Sequence, residues 1–179
     1  MTRLIEVVPY DPHWPARFQE EADELAAIFG EDVVEIHHIG STAIPGIHAK
    51  PIIDVLVEVQ DIGGIDALNY AMIERGYLPK GEFGIHGRRF FIKGTEEDRT
   101  HHIHMFQTGN PEFERHLAFR DYLRAHPEEA EAYSRLKQEL ARRFPHDADS
   151  YMDGKNDWIK ETERKAKAWK NKEQRADDC

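Results

Sequence analysis

The chain reads as an α+β protein, with a mixed β-sheet built first and helices closing the chain. Three observations predict this class. Apolar stretches of strand length recur at 33–39, 52–59, 77–80, 88–93 and 100–106, and Gly81, Gly84, Gly87 and Gly94 punctuate the later ones. One amphipathic helix precedes them. Everything after Pro111 carries helical spacing, so strands come early and helices late.

The elements follow in order. Asp11-Pro12-His13-Trp14-Pro15 forms a turn that feeds a helix, because Phe18, Ala22, Leu25 and Phe29 share one face and Gly30 stops it. The first strand ends on Gly40-Ser41-Thr42. Ser41 and Thr42 are candidates to cap a short helix that Pro45-Gly46 ends almost at once. The second strand runs to Val59. A helix over 65–75 has Leu68, Met72 and Ile73 inward and Gly76 as terminator. After the remaining strands come helices over 111–126, 127–143 and 151–172, the first two separated at Pro127. A charged tail over 173–179 is expected to fray. Only the short loop 107–110 separates sheet from helices. Residues 1–172 are therefore read as one domain, with a sheet part of about 1–107 and a helical part of about 111–172 packed on it.

Composition limits the function classes. At 179 residues with a 40% hydrophobic fraction, the chain can bury an ordinary core. A net charge of −10 argues against broad nucleic-acid binding, which needs a basic footprint, but leaves room for a small basic pocket. The single cysteine, Cys179, rules out an internal disulfide framework and fits a reducing compartment. The start of the chain has no long apolar run. A cytoplasmic protein with no membrane partner is expected.

The chemistry concentrates at 38–54. Gly40 allows close backbone approach, and the N–H groups of the turn after it would face an anion. Asp54 is the one acid inside the apolar run Ile52, Ile53, Val55, Leu56, Val57. A carboxylate there needs a partner, a metal or water. A pairing with a cation such as Lys50 is the plain structural alternative. On the last strand, His102 and His104 face one way, and His101, Ile103 and Met105 the other. With Asp54 from a neighbouring strand they would make two imidazoles and a carboxylate, a set that suits Mn, Fe or Zn better than Mg. Lys50 precedes the second strand, and one of Arg88 and Arg89 must face the same way as the site. His38 could reach the site or pack, and His48 reads as exposed. Trp14, Phe18 and Trp158 read as packing residues, and Arg124, Arg142 and Arg143 as surface charge.

His38-Ile-Gly-Ser-Thr through Ala49-Lys-Pro-Ile-Ile-Asp54 resembles the signature of the GrpB-like proteins. Pro9-Tyr-Asp-Pro12 with Trp14 and Phe18, Arg99-Thr-His-His-Ile-His104, Phe119-Arg-Asp-Tyr-Leu-Arg124, Tyr133 with Leu136-Lys137, and Tyr151 with Lys155 extend the resemblance from about residue 7 to about 169. The resemblance implies a nucleotidyltransferase-like fold. It further implies a nucleotide or phosphorylated small molecule as ligand, and transfer of a nucleotidyl group to a small acceptor as the reaction. In that reading Gly40, Ser41, Thr42, Lys50, Arg88 and Arg99 hold the ligand, and Arg120, Lys137 and Lys155 are further cations within its reach. Asp54, His102 and His104 hold a divalent metal (Mg or Mn before Zn) or move protons. One departure matters. Active nucleotidyltransferases carry two acids one residue apart, and here the second position is Leu56. Glu58 shares the face but lies roughly 13 Å from Asp54 along a strand. Two alternatives therefore stand beside transfer. One is a non-catalytic accessory domain, since a related domain occurs fused to dephospho-coenzyme A kinase. The other is a metal-dependent enzyme using Asp54, His102 and His104.

Overall fold

The computed structural model describes residues 4–177, so Cys179 lies outside the described residues. Helix α1 (Trp14–Phe29) carries Pro15 in its first turn, where the fixed φ suits it, and presents Trp14, Ala22, Leu25 and Phe29 inward. Five strands follow: β1 (Val33–Ile39), β2 (Ile53–Val59), β3 (Tyr77–Pro79), β4 (Arg88–Gly94) and β5 (Arg99–Gln107). They form one mixed sheet in the order β1-β2-β5-β4-β3. β2 and β5 pair in parallel, and the other neighbours are antiparallel. The α+β class and the strand positions match the sequence reading.

The sheet has two unlike faces. The back face packs Val55, Val57, Ile103, Met105 and Phe91 against Trp14, Leu25 and Phe29 of α1 and against Ile65 and Met72. Leu25, Val55 and Ile103 are fully buried, and each such side chain contributes about 1.5–3 kcal/mol. The front face is split. At one end Ile39, Leu56 and Phe106 pack under Phe113 of α3 (Pro111–Ala125). The rest of that face carries polar groups.

Two local expectations fail. The helix over 65–75 is a 3-10 segment, Ile62–Leu68, followed by a short α2 (Asn69–Glu74). Gly63 and Gly64 weaken an α-helix there, and the Asp61 carboxylate accepts a hydrogen bond from Gly63 N–H that suits the tighter turn. Ile73 is consequently exposed rather than inward. Ser41–Ala43 is also a 3-10 turn, with Gly40 at its cap position and no side-chain cap.

The C-terminal helices are α3, α4 (Pro127–Arg143) and α5 (Ala148–Asp177), the last extending past the predicted 151–172 at both ends. α5 lies flush on α4 at Gly154, where a Cβ would overlap the Leu140 side chain. That close approach sets Tyr151, about one turn before Gly154, and Lys155, the residue after it, against the Lys137 region of α4. Among the described residues no helix is long and apolar enough to cross a membrane.

Candidate functional site

The parallel register of β2 and β5 puts Asp54 opposite His102 and Leu56 opposite His104. Because side chains alternate, Asp54, His102 and His104 all emerge on the front face. His104 Nε2 lies 3.2 Å and His102 Nδ1 3.4 Å from the same carboxylate oxygen, Asp54 Oδ1. One nitrogen or oxygen from each of the three falls within 4.8 Å of the others.

Neighbours set the protonation of this group. Arg88 Nη1 sits 3.3 Å from His104 Nδ1. A guanidinium only donates, so Nδ1 accepts and the His104 proton lies on Nε2, facing Asp54. Burial lowers the His104 pKa, and the charges of His102 and Arg88 push the same way against the pull of Asp54. Burial alone would raise the Asp54 carboxyl. The His102 and His104 hydrogen bonds overcome that and hold it well below the usual carboxylate range. The resulting state is an anionic Asp54 beside a neutral His104, whose contribution is a hydrogen bond rather than a charge. The ring of His116 of α3 lies tilted 5.7 Å from that of His104, and burial pushes it down to about 3, so it too is neutral.

The turn after β1 closes on the same carboxylate. Gly40 has φ +75°, and a Cβ there would sit 2.5 Å from Asp54 Oδ2. Only glycine permits both that backbone conformation and that approach. Ser41 follows, and its side chain hydrogen-bonds with the buried Tyr133 hydroxyl, whose pKa burial raises to about 12.

Behind Ser41 three lysines from separate segments approach two tyrosines. Lys137 Nζ lies 4.5 Å from the centre of the Tyr133 ring, and Lys50 and Lys155 Nζ lie 4.5 and 4.8 Å from that of Tyr151. Lys137 is 2% exposed, and its Nζ has no hydrogen-bond partner among the described residues; nor does the Tyr151 hydroxyl. Burial, then the charges of Lys155 and Lys50, push Lys137 down to about 6. Burial and Lys50 push Lys155 down to about 8, although Asp54 opposes this.

A model of the GrpB protein family matches residues 4–165. The chain belongs to the GrpB family. It is 50% identical over 168 residues to the UPF0157 protein YqkA of Bacillus subtilis, covering 94% of this chain and 49% of that protein. The crystal structure of conserved protein GrpB from Enterococcus faecalis superposes with a TM-score of 0.88 at 45% identity, covering 92% of this chain and 99% of that one. A more distant relative, a dephospho-CoA kinase of Mycolicibacterium paratuberculosis, is 26% identical over 189 residues, covering 92% of this chain and 46% of that protein. The chain thus spans about half the length of both curated relatives.

This GrpB-family structure brings together most of the residues expected at the site. Gly40, Ser41, Asp54, His102, His104 and Arg88 meet as described, and Lys50 stands among the lysines. Arg89, its neighbour, faces away and pairs with Asp66 at 2.8 Å. Two expectations do not hold, and an open one is settled. Thr42 turns from the site, bonding His38 Nε2 at 2.9 Å and reaching the Ile52 carbonyl. Arg99 pairs with Glu96 of its own hairpin at 2.9 Å. His38 lies on the back face, stacked on Phe18 at 4.9 Å, so it packs. Arg124, read as surface charge, donates from Nε to the Ala43 carbonyl and holds the turn. Sequence reasoning gave Lys137 and Lys155 little weight and missed Tyr133, Tyr151 and His116. A usable signal was there: Tyr133 and Lys137, like Tyr151 and Lys155, are four apart on a helix, the spacing that lays one side chain over the other. A groove of about 730 Å³ between α3 and α5 is lined by paired charges such as Arg115 and Glu163 and lies away from Asp54.

The residues fit a divalent ion with one adjustment. A carboxylate and two imidazoles are present at suitable spacing, and His102 Nε2 is buried without a partner among the described residues. His104 would have to give up its Nε2 proton to ligate, which requires Arg88 to release Nδ1. Asp54 and His102 are the better placed ligands.

Proposed function

We propose that this chain binds a nucleotide or another phosphorylated small molecule against the front face of the sheet. In this reading Gly40 and Ser41 grip phosphate, and Asp54, His102 and His104 meet the reactive end of the ligand. The observation that carries it is the approach of Gly40 to the carboxylate that both histidines share, since it joins an anion-gripping turn to an acid–base group at contact distance. The anionic Asp54 can accept a proton from an attacking hydroxyl or hold a cation. The His104 N–H, fixed between Asp54 and Arg88, orients that carboxylate. A divalent ion held by Asp54 and His102 would supply charge neutralisation at a phosphoryl oxygen. Nucleotidyl transfer to a small acceptor is the enzymatic form of this reading.

One observation favours a second reading, a binding domain without transfer. Leu56, in the place of a second acid, is fully buried and packs with Ile39, Phe106 and Phe113. No second carboxylate can enter there without dismantling that cluster, so a two-metal reaction lacks its other ligand.

A thermal-shift screen of nucleotides and coenzyme A precursors, with and without Mg or Mn, tests both. The precursors are included because one relative bears the name dephospho-CoA kinase. A ligand at a hundred times its dissociation constant should stabilise by about 2.7 kcal/mol. Gly40→Val should abolish the shift and cost about 1–3 kcal/mol of stability through backbone strain. If no phosphorylated compound shifts the wild type, the reading fails. If nucleotides bind, metal adds nothing and Asp54→Asn changes neither, the binding-domain reading stands alone.

A further inference from the structure

We propose that Lys50, Lys137, Lys155 and the Tyr151 hydroxyl form a proton-coupled pocket for one dianionic phosphoryl group, on the far side of Ser41 from the Asp54–histidine cluster. The inference rests on the phosphorylated-ligand reading and deepens it.

The geometry has the marks of a built site. The three ammonium groups come from the segment before β2, from α4 and from α5, so no single element explains their meeting. The Tyr133 and Tyr151 rings present their faces to the three ammonium groups, an arrangement that attracts cations. Two buried donors, Lys137 Nζ and Tyr151 OH, have no partner among the described residues, although unpaired buried donors are costly. A chain that keeps them at that cost holds them for an acceptor. Three cations and a hydroxyl outnumber what a carboxylate can accept, and a dianionic phosphate matches them.

The remaining groups facing Lys137 define the coupling. They are Lys50, Lys155 and Tyr133, with Tyr151 under Lys50 and Lys155 and Asp54 acting on Lys155. Among the described residues the charges acting on Lys137 are those of Lys155 and Lys50, so it shares its surroundings with like charges. Lys137, lowered to about 6, is mostly neutral at pH 7.5 in the empty pocket. An entering dianion restores its proton, so binding takes up a proton from solution.

Calorimetry on the full chain tests this with three probes. Sulfate keeps its charge across the range, inorganic phosphate reports the phosphoryl group itself, and ATP reports a tethered one. Sulfate affinity should fall by up to roughly tenfold per pH unit above about 6, and titrations at pH 7.5 in buffers of different ionisation heat should show proton uptake. Lys137→Met should weaken phosphate roughly ten- to hundredfold and remove most of the uptake, leaving the smaller share that Lys155 contributes. Tyr151→Phe, which keeps the packing, should weaken phosphate by a smaller factor. An equal loss for ATP puts its terminal phosphate in the pocket, whereas an effect on phosphate alone marks a site for the free ion. Unchanged phosphate affinity in both variants would overturn the pocket while leaving the phosphorylated-ligand reading intact. Lysine-dependent phosphate binding, with nucleotides indifferent to Gly40→Val and Asp54→Asn, would keep the pocket and sink that reading.

Discussion

The two faces of the sheet solve the same problem differently. Each buries histidines, acids and basic groups against helices. On the back face Glu21, 4% exposed, accepts from the Tyr77 hydroxyl and from Lys93 at 3.0 Å, and lies 3.3 Å from His101. His38 is likewise settled by Thr42 and Phe18. On the front, and in the helices closing over it, lie His102 Nε2, His116 Nε2, Lys137 Nζ and Tyr151 OH, which are the buried side-chain atoms without partners among the described residues. The back-face polar groups are partnered inside the fold, whereas these four atoms are not, and the structure carries the cost of their burial. In the reading proposed above, that cost is kept for a ligand.

This contrast can be broken by substitution. The largest effect belongs to the back face. Glu21→Ala leaves Lys93 and His101 without their shared acid and should cost about 3 kcal/mol in urea unfolding, with phosphate affinity unchanged. A loss below the scatter of surface substitutions would show that the back-face network is not structural.

Lys137→Met should move stability in the opposite direction. Lys137 must give up its proton to be buried without a partner, so removing it should raise the stability of the ligand-free protein by about 1–3 kcal/mol. The pH dependence carries the same sign. Lys137 is lowered to about 6 in the fold, while the unfolded chain keeps its proton to about the ordinary lysine value. Between those values the unfolded state binds more protons, so wild-type stability should rise with pH from about 6 into the alkaline range. A melting curve series against pH should show that rise in the wild type and not in the variant. A variant less stable than wild type at pH 7 would transfer Lys137 to the structural class.

Asp54→Asn should be the smallest. The two hydrogen bonds outweigh the desolvation of the charge, so weakening them to neutral strength should cost a net loss of about 1 kcal/mol. A fall of about 3–5 kcal/mol would make Asp54 a structural acid like Glu21.

Much of this was legible before the structure. Strand positions came from alternation and glycines, and the observed bounds differ from the expected ones by a residue or so. The shared face of His102 and His104 came from the same period of two. The misreadings have local causes. The helix expected over 65–75 begins inside a 3-10 segment that Gly63 and Gly64 open, and Ser41 and Thr42 are ordinary capping residues placed where Gly40 took the cap position. Thr42 and Arg99 were drawn from the site by partners that no spacing reveals, namely His38 across the turn and Glu96 across the hairpin.

The sequence by itself determined the class of fold, the strand faces, the glycine at the turn and the two tyrosine–lysine pairs. All of these follow from the fixed rise and rotation of the chain within one element. Tertiary structure alone decided that β2 lies parallel beside β5, which is what brings Asp54 to His102 and His104. It alone decided that α4 and α5 meet at Gly154 closely enough to bury Lys137 among like charges. Pairing across a crossover and burial between helices depend on long-range packing. Periodicity shows which way a side chain points, but not which group it will meet.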